Sequence, residues 1–168
     1  MKNYSLHIKN TLRSVIRDIA KHPEAFCRRP GTDFTRERKL PFEKLLTLLV
    51  KMGGHSLRHE MLDCLDFKEA PASVSALVQQ RSKLLPEALA FLFREFTNRC
   101  HKPQLYKGYR LLAVDGSDLQ FTANPNDPLS YFPGVNGQKP YSFLHLNALY
   151  DLNSNLYLDA VVQKRRAT

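Results

Sequence analysis

The spacing of apolar residues changes once along this chain, near Lys102-Pro103, and that change limits the fold more than any other feature. Before it, apolar side chains recur every three or four positions, the period of a helix with one buried face. After it they alternate or run together in short stretches bounded by turn residues, as strands do. The expected class is α+β, with a helical bundle over residues 1–105 and an antiparallel three-stranded sheet over 106–168. A length of 168 residues leaves room for one ordinary domain or two small ones.

Five helices are expected. Leu12, Val15, Ile16 and Ile19 mark the first, over residues 4–21, which His22-Pro23 ends. Pro41 opens a second whose stripe is Phe42, Leu45, Leu48, Leu49 and Met52, and Gly53-Gly54 stops it. Ser56 caps a third with Leu57, Met61, Leu62 and Leu65 inward. After a break at residues 69–72, Ser73 or Ser75 caps a fourth with Val74, Leu77, Val78 and Leu84 inward. Pro86 starts a fifth with Leu89, Phe91, Leu92 and Phe96 inside. Leu111–Val114 reads as a buried strand, and Phe143–Tyr150 and Leu156–Val162 as a hairpin around Asp151–Asn155. Thr122–Lys139, rich in Pro, Asn and Gly, reads as an exposed loop.

With 43% hydrophobic and 24% charged residues the chain is not of disordered composition. No apolar run approaches the ~20 residues of a membrane helix, and Met1–Asn10 has no secretory apolar stretch, so the expected location is the cytoplasm. Cys27, Cys64 and Cys100 are far apart and read as reduced thiols. His55 and His59, four apart beside Glu60, lack a third zinc ligand and read as solvated.

Charge is unevenly placed. Residues 1–60 carry 13 Lys and Arg against 6 Asp and Glu, residues 61–110 carry 8 against 5, and residues 111–168 carry 4 against 5. A basic front of this kind suits a polyanion such as nucleic acid, and equally a solvated basic surface. Arg28, Arg29, Arg36, Arg38 and Lys39 crowd one loop. On the fourth helix, assigning the apolar residues to the core leaves Ser75, Gln79, Gln80, Arg81, Ser82 and Lys83 outward. Gln and Arg read base edges while Ser and Lys hold phosphates, so Ser56–Leu85 is a candidate helix-turn-helix, with an ordinary polar helix face as the alternative.

The stretch LLAVDGSDLQF, Leu111–Phe121, places Asp115 after four apolar residues, where a rigid strand would present its carboxylate to a hard cation such as Mg²⁺. Asp115-Gly116 is also a strong hairpin-turn signal, and such dipeptides are far more often turns than metal sites.

Taken in order, FTRERKLPF (Phe34–Phe42), SALVQQRSKL (Ser75–Leu84), AVDGSDLQF (Ala113–Phe121) and HLNALYDLNSNLYLDAVVQ (His145–Gln163) resemble the front part of DDE transposases of the insertion sequence four family. The resemblance spans about Phe34 to Gln163. It implies a helical DNA-binding region followed by part of a ribonuclease-H-like catalytic sheet, with Asp115 as the first catalytic aspartate and a ligand of Mg²⁺ or Mn²⁺. It further implies double-stranded DNA, the terminal inverted repeats, as partner, with Arg36, Arg38, Ser75, Gln79, Gln80, Arg81 and Lys83 as the contacts. The family also needs a second aspartate and a glutamate, whereas this chain has no Glu after Glu95, and Asp151 and Asp159 do not fit the pattern. The expectation is a transposase fragment that is inactive alone and binds no metal by itself. The alternative is a non-catalytic DNA-binding protein that competes for transposon ends. An incomplete sheet leaves an edge free, which invites self-association and a homodimer.

Overall fold

The computed structural model describes residues 2–36, 38–64, 72–135 and 137–164. The chain divides into two units, Met1–Cys100 and His101–Thr168, the first helical and the second a sheet.

In the helical unit, α1 (Lys2–Ala20) presents Val15, Ile16 and Ile19 to the same cluster as Phe42, Leu45, Leu46 and Leu48 of α2 (Phe42–Lys51), all of them buried. Met61 of α3 (Leu57–Cys64), Leu77 of α4 (Val74–Arg81) and Ala88 and Leu92 of α5 (Glu87–Cys100) complete it. The expected caps are in place: Ser73 Oγ accepts the Ala76 N–H at 3.1 Å and Ser56 Oγ the His59 N–H at 3.4 Å. On the outside, Arg99 of α5 donates to Asp18 of α1 at 2.8 Å, and Lys21 holds the same carboxylate at 2.8 Å. None of the three cysteines is disulfide-bonded to another. Burial raises the Cys100 pKa.

Two helices are rotated from their predicted orientation. In α4, Leu77 and Gln80 are buried while Val74 and Val78 are 38% and 43% exposed. A two-turn helix offers few positions, and its inward line here is Leu77, Gln80 and then Leu84, not the β-branched pair. In α5, Leu89 and Phe91 are exposed, and Ala88, Leu92 and Cys100 take the inner face. Phe91 instead meets Phe26 at a ring distance of 5.3 Å. The predicted inward Leu65 and the break at 69–71 lie outside the described residues.

The sheet unit is built around β3 (Tyr141–Asp151). Along one edge, β1 (Leu112–Phe121) pairs antiparallel from Leu112 opposite Asp151 to Phe121 opposite Ser142. Along the other edge, β4 (Leu156–Gln163) runs from Leu156 opposite Asp151 to Gln163 opposite His145, with a bulge beside Leu149. A fourth strand was not expected: β2 (Tyr131–Phe132), inside the presumed loop, pairs with Ser142 and Tyr141 at the start of β3. Phe132 stacks on Phe143 at 4.6 Å and on Tyr141 at 5.5 Å, which gives this two-residue strand its anchor. The Leu111–Val114 run, read as buried, is exposed, Val114 by 73%.

Among the described residues, none of the sheet unit belongs to the hydrophobic core cluster, and its buried residues, Ser130, Ser142 and Asp151, are polar. Hydrophobic burial is the main favourable folding contribution, so this unit is expected to open more readily than the helices. Native-state hydrogen exchange should show β1, β3 and β4 amides less protected than those of α1, α2 and α5. Equal protection would contradict this account.

Candidate functional site

The basic loop is tied to the segment after α4. The Arg28 N–H donates to the Lys83 carbonyl at 2.9 Å, the Leu85 N–H donates to the Phe26 carbonyl at 2.9 Å, and Arg28 Nε reaches the Ser82 carbonyl at 2.8 Å. Cys27 and Leu84 form an isolated β-bridge between the two segments. These bonds bring together residues more than 40 positions apart in sequence. Between the segments lies a cavity of about 430 Å³, lined by Arg29, Arg36, Arg38, Lys83, Phe34 and Gln80 among others.

Its wall is locally constrained. Asp33, 4% exposed, accepts the Arg29 N–H at 3.1 Å and Arg29 Nη2 at 3.1 Å, so this carboxylate closes the loop on itself and half-neutralises Arg29. Phe34 follows with φ of 62°, and its ring meets Phe42 edge-on at 5.1 Å. A left-handed backbone at a bulky residue costs about 1–3 kcal/mol and persists only where the surroundings enforce it.

Of the residues predicted to contact DNA, Arg36, Arg38, Gln80 and Lys83 therefore meet in one cavity. Ser75, Gln79 and Arg81 lie on the exposed face of α4, where Gln79 Nε2 and Ser75 Oγ are 3.5 Å apart. Gln80 is not an outward base reader: it is 7% exposed, and its Oε1 is buried with no hydrogen-bond partner. The inward line of α4 explains the displacement.

Asp115 does not sit in a turn. It lies inside β1 opposite Ala148, with Gly116 opposite Asn147, so the ladder continues through Asp-Gly. Asp115 Oδ1 accepts its neighbour's N–H, that of Gly116, at 2.8 Å. The strand alternation puts Asp115 on the face of Leu119, Leu144 and Leu146.

The opposite face carries a polar group that local sequence did not reveal. His145 Nδ1 donates to Asp118 Oδ1 at 2.6 Å, directly across the ladder, and Asn147 Nδ2 donates to Gln163 Oε1 at 3.4 Å. A Cβ on Gly116 would stand 2.7 Å from His145 Nε2 and 3.1 Å from Asn147 Oδ1. The glycine thus makes room for side chains lying across the strand, not for a bend. Glycine within a strand pattern was the available signal.

Glu60 is also accounted for. Its Oε1 accepts the N–H groups of Gly53, Gly54 and His55 at 3.0, 2.9 and 2.9 Å, and the His55 and Gly54 bonds hold its pKa below the usual value. This carboxylate joins the end of α2 to α3 and is occupied in that task. Among the described residues no three His, Cys, Asp or Glu side chains converge as a metal site, and no helix is long and apolar enough to cross a membrane.

No family model, curated protein or solved structure matches this chain. Function is therefore argued from the residues above.

Proposed function

We propose that this chain is the DNA-engaging, first-carboxylate portion of a transposase that cuts and rejoins DNA. The helical unit would hold duplex DNA at terminal inverted repeats, with Arg36, Arg38 and Lys83 on phosphates and the outer face of α4, Ser75, Gln79 and Arg81, towards the groove. Asp115 would be the first catalytic aspartate of a ribonuclease-H-like sheet. The observation that carries the reading is the register of β1: a carboxylate fixed in the middle of a ten-residue ladder is a rigid platform, and the competing turn reading of Asp115-Gly116 does not apply.

The fit to Mg²⁺ or Mn²⁺ is incomplete. Asp115 already accepts one N–H, and no second and third carboxylate meet it among the described residues. The described residues do not make up a two-metal set, and the chain alone is expected not to cut DNA.

Two measurements test this reading. Binding to a duplex of about 30 base pairs should weaken steeply with salt, and Lys83→Ala, which removes a phosphate contact, should lower the slope of log K against log salt by about 0.9, whereas Arg81→Ala should relax sequence preference. Salt-insensitive or absent binding overturns the DNA role. A nicking assay with Mg²⁺ or Mn²⁺ should show no turnover by the isolated chain, and robust turnover would refute its inactivity.

A second reading, a DNA-binding protein without catalysis that competes for transposon ends, is favoured by the cavity of the basic loop, because every residue lining it belongs to the helical unit. Duplex binding with no loss on Asp115→Asn in a complemented cleavage assay would select it.

A further inference from the structure

We infer that the short hairpin ahead of β1 holds an unpaired DNA strand, with bases stacked on Tyr106 and Tyr109 and phosphates against Lys102 and Lys107. The hairpin lies wholly in the sheet unit, apart from the helices proposed to hold duplex DNA. Tyr106 and Tyr109 exchange both backbone hydrogen bonds, at 2.8 and 3.0 Å, across a two-residue turn. Lys107 and Gly108 make that turn with φ of 49° and 85°, the type I′ pattern that matches strand twist. Directly opposed residues of an antiparallel pair point to one face, so both rings stand on the same side of the hairpin.

The base of the hairpin is pinned to the β3–β4 turn. Asn153 Nδ2 donates to the Gln104 carbonyl at 3.0 Å, the Leu152 N–H donates to the Leu111 carbonyl at 3.0 Å, and Arg110 Nη2 stands 3.6 Å from the Asp151 carboxylate. The rings are thus carried on a braced element, yet Tyr106 is 55% and Tyr109 73% exposed. An aromatic pair held out to solvent by a preorganised backbone loses little freedom on binding.

Charge and shape together select the partner. Residues 101–111 include Lys102, Lys107 and Arg110 and no Asp or Glu, and with Arg110 committed to Asp151 the two lysines remain for a polyanion. Lys107 Nζ stands 5.5 Å from the centre of the Tyr106 ring, so a cation and a π face lie side by side. That combination meets a base and its phosphate at once, whereas a duplex keeps its base faces inside the stack. A bilayer is disfavoured, because the end of the hairpin is the charged Lys107-Gly108 turn and the apolar rings stand behind it. The inference rests on the DNA-binding reading only in taking DNA as the source of the strand.

The test uses the full chain and a labelled oligothymidine of about 12 nucleotides, followed by fluorescence anisotropy and by amide shifts of residues 105–110. It should bind about tenfold or more tighter than an abasic oligonucleotide with the same phosphates, with the largest shifts on the hairpin. Tyr109→Leu, which stays apolar but removes the ring, should weaken binding about tenfold, while Tyr109→Phe should bind as the wild type does. Lys107→Asn, which tolerates the left-handed backbone, should lower the salt slope by about 0.7. Duplex binding should be unchanged by Tyr109→Leu. Abasic binding as tight as oligothymidine, or no effect of Tyr109→Leu, overturns the inference. Duplex binding without shifts at 105–110 on adding oligothymidine sinks the inference and leaves the proposed function standing, whereas hairpin binding of oligothymidine without duplex binding supports the inference and sinks the duplex reading. Tighter binding of oligouridine would overturn DNA as the source. Displacement of the oligonucleotide by phosphatidylserine-containing vesicles, with Tyr109→Leu as effective as the wild type, would overturn the inference in favour of a membrane surface.

Discussion

Leu45→Ala is expected to destabilise the helical unit by about 3–5 kcal/mol, the range for leucine truncations in closed cores. Leu45 has no exposed surface, and it sits on α2 where the cluster draws on α1, α3, α4 and α5 together. A cluster drawn from several helices cannot collapse freely into the space, so the cavity persists and the cost lies toward the upper end of the range. Urea unfolding followed by helical circular dichroism should show a lower midpoint with an unchanged slope, since the surface exposed on unfolding is the same. Leu89→Ala is the matched control. Both leucines look alike in the helical pattern, but Leu89 is 40% exposed, so its loss should cost within about 0.5 kcal/mol. Equal costs would mean that α5 turns Leu89 inward, contrary to the structure.

That contrast shows where sequence was informative. In α1 and α2 the apolar residues fall on one stripe, which declares the buried face, and Ser56 and Ser73 mark helix starts by a local bond that any Ser-capped helix makes. Alpha4 has eight residues, too few turns to separate a stripe at Leu77 and Gln80 from one at Val74 and Val78. The β3–β4 hairpin was legible because its turn residues are contiguous. Asp115-Gly116 was ambiguous because a turn is a local preference, while continuing the strand depends on Ala148 and Asn147, more than 30 residues away. The cavity was invisible as a unit for the same reason: Arg36, Arg38, Gln80 and Lys83 were each picked out by residue type, but the Arg28 and Leu85 bonds that bring them together are long-range. His145 escaped notice because its partner Asp118 lies 27 positions earlier.

Acid should open the sheet unit at the β3–β4 turn. Asp151 has no exposed surface. Its Oδ1 accepts the N–H groups of Asn153 and Ser154 at 3.0 and 3.2 Å, and its Oδ2 faces His101 Nε2 at 3.0 Å and Arg110 Nη2 at 3.6 Å. The hydrogen bond from His101 dominates, burial opposes it, the two backbone bonds add to it, and the carboxyl falls from 3.8 to about 2. The folded value lies below the unfolded one, so the carboxylate's contribution to stability is complete above about pH 4 and is lost as pH falls through that range toward 2. Hydrogen exchange at the Asn153 and Ser154 amides should accelerate relative to the intrinsic rate across that window. Asp151→Asn retains an acceptor for both amides but carries no charge, so it should remove the acid dependence while weakening the turn at neutral pH. Asp151→Ala removes the acceptor too, leaving two turn amides and His101 without their partner, and should cause the larger loss of protection along β3 and β4 at neutral pH. An Asp151→Asn chain that still loosens between pH 4 and 2 as the wild type does would place the acid-sensitive group elsewhere.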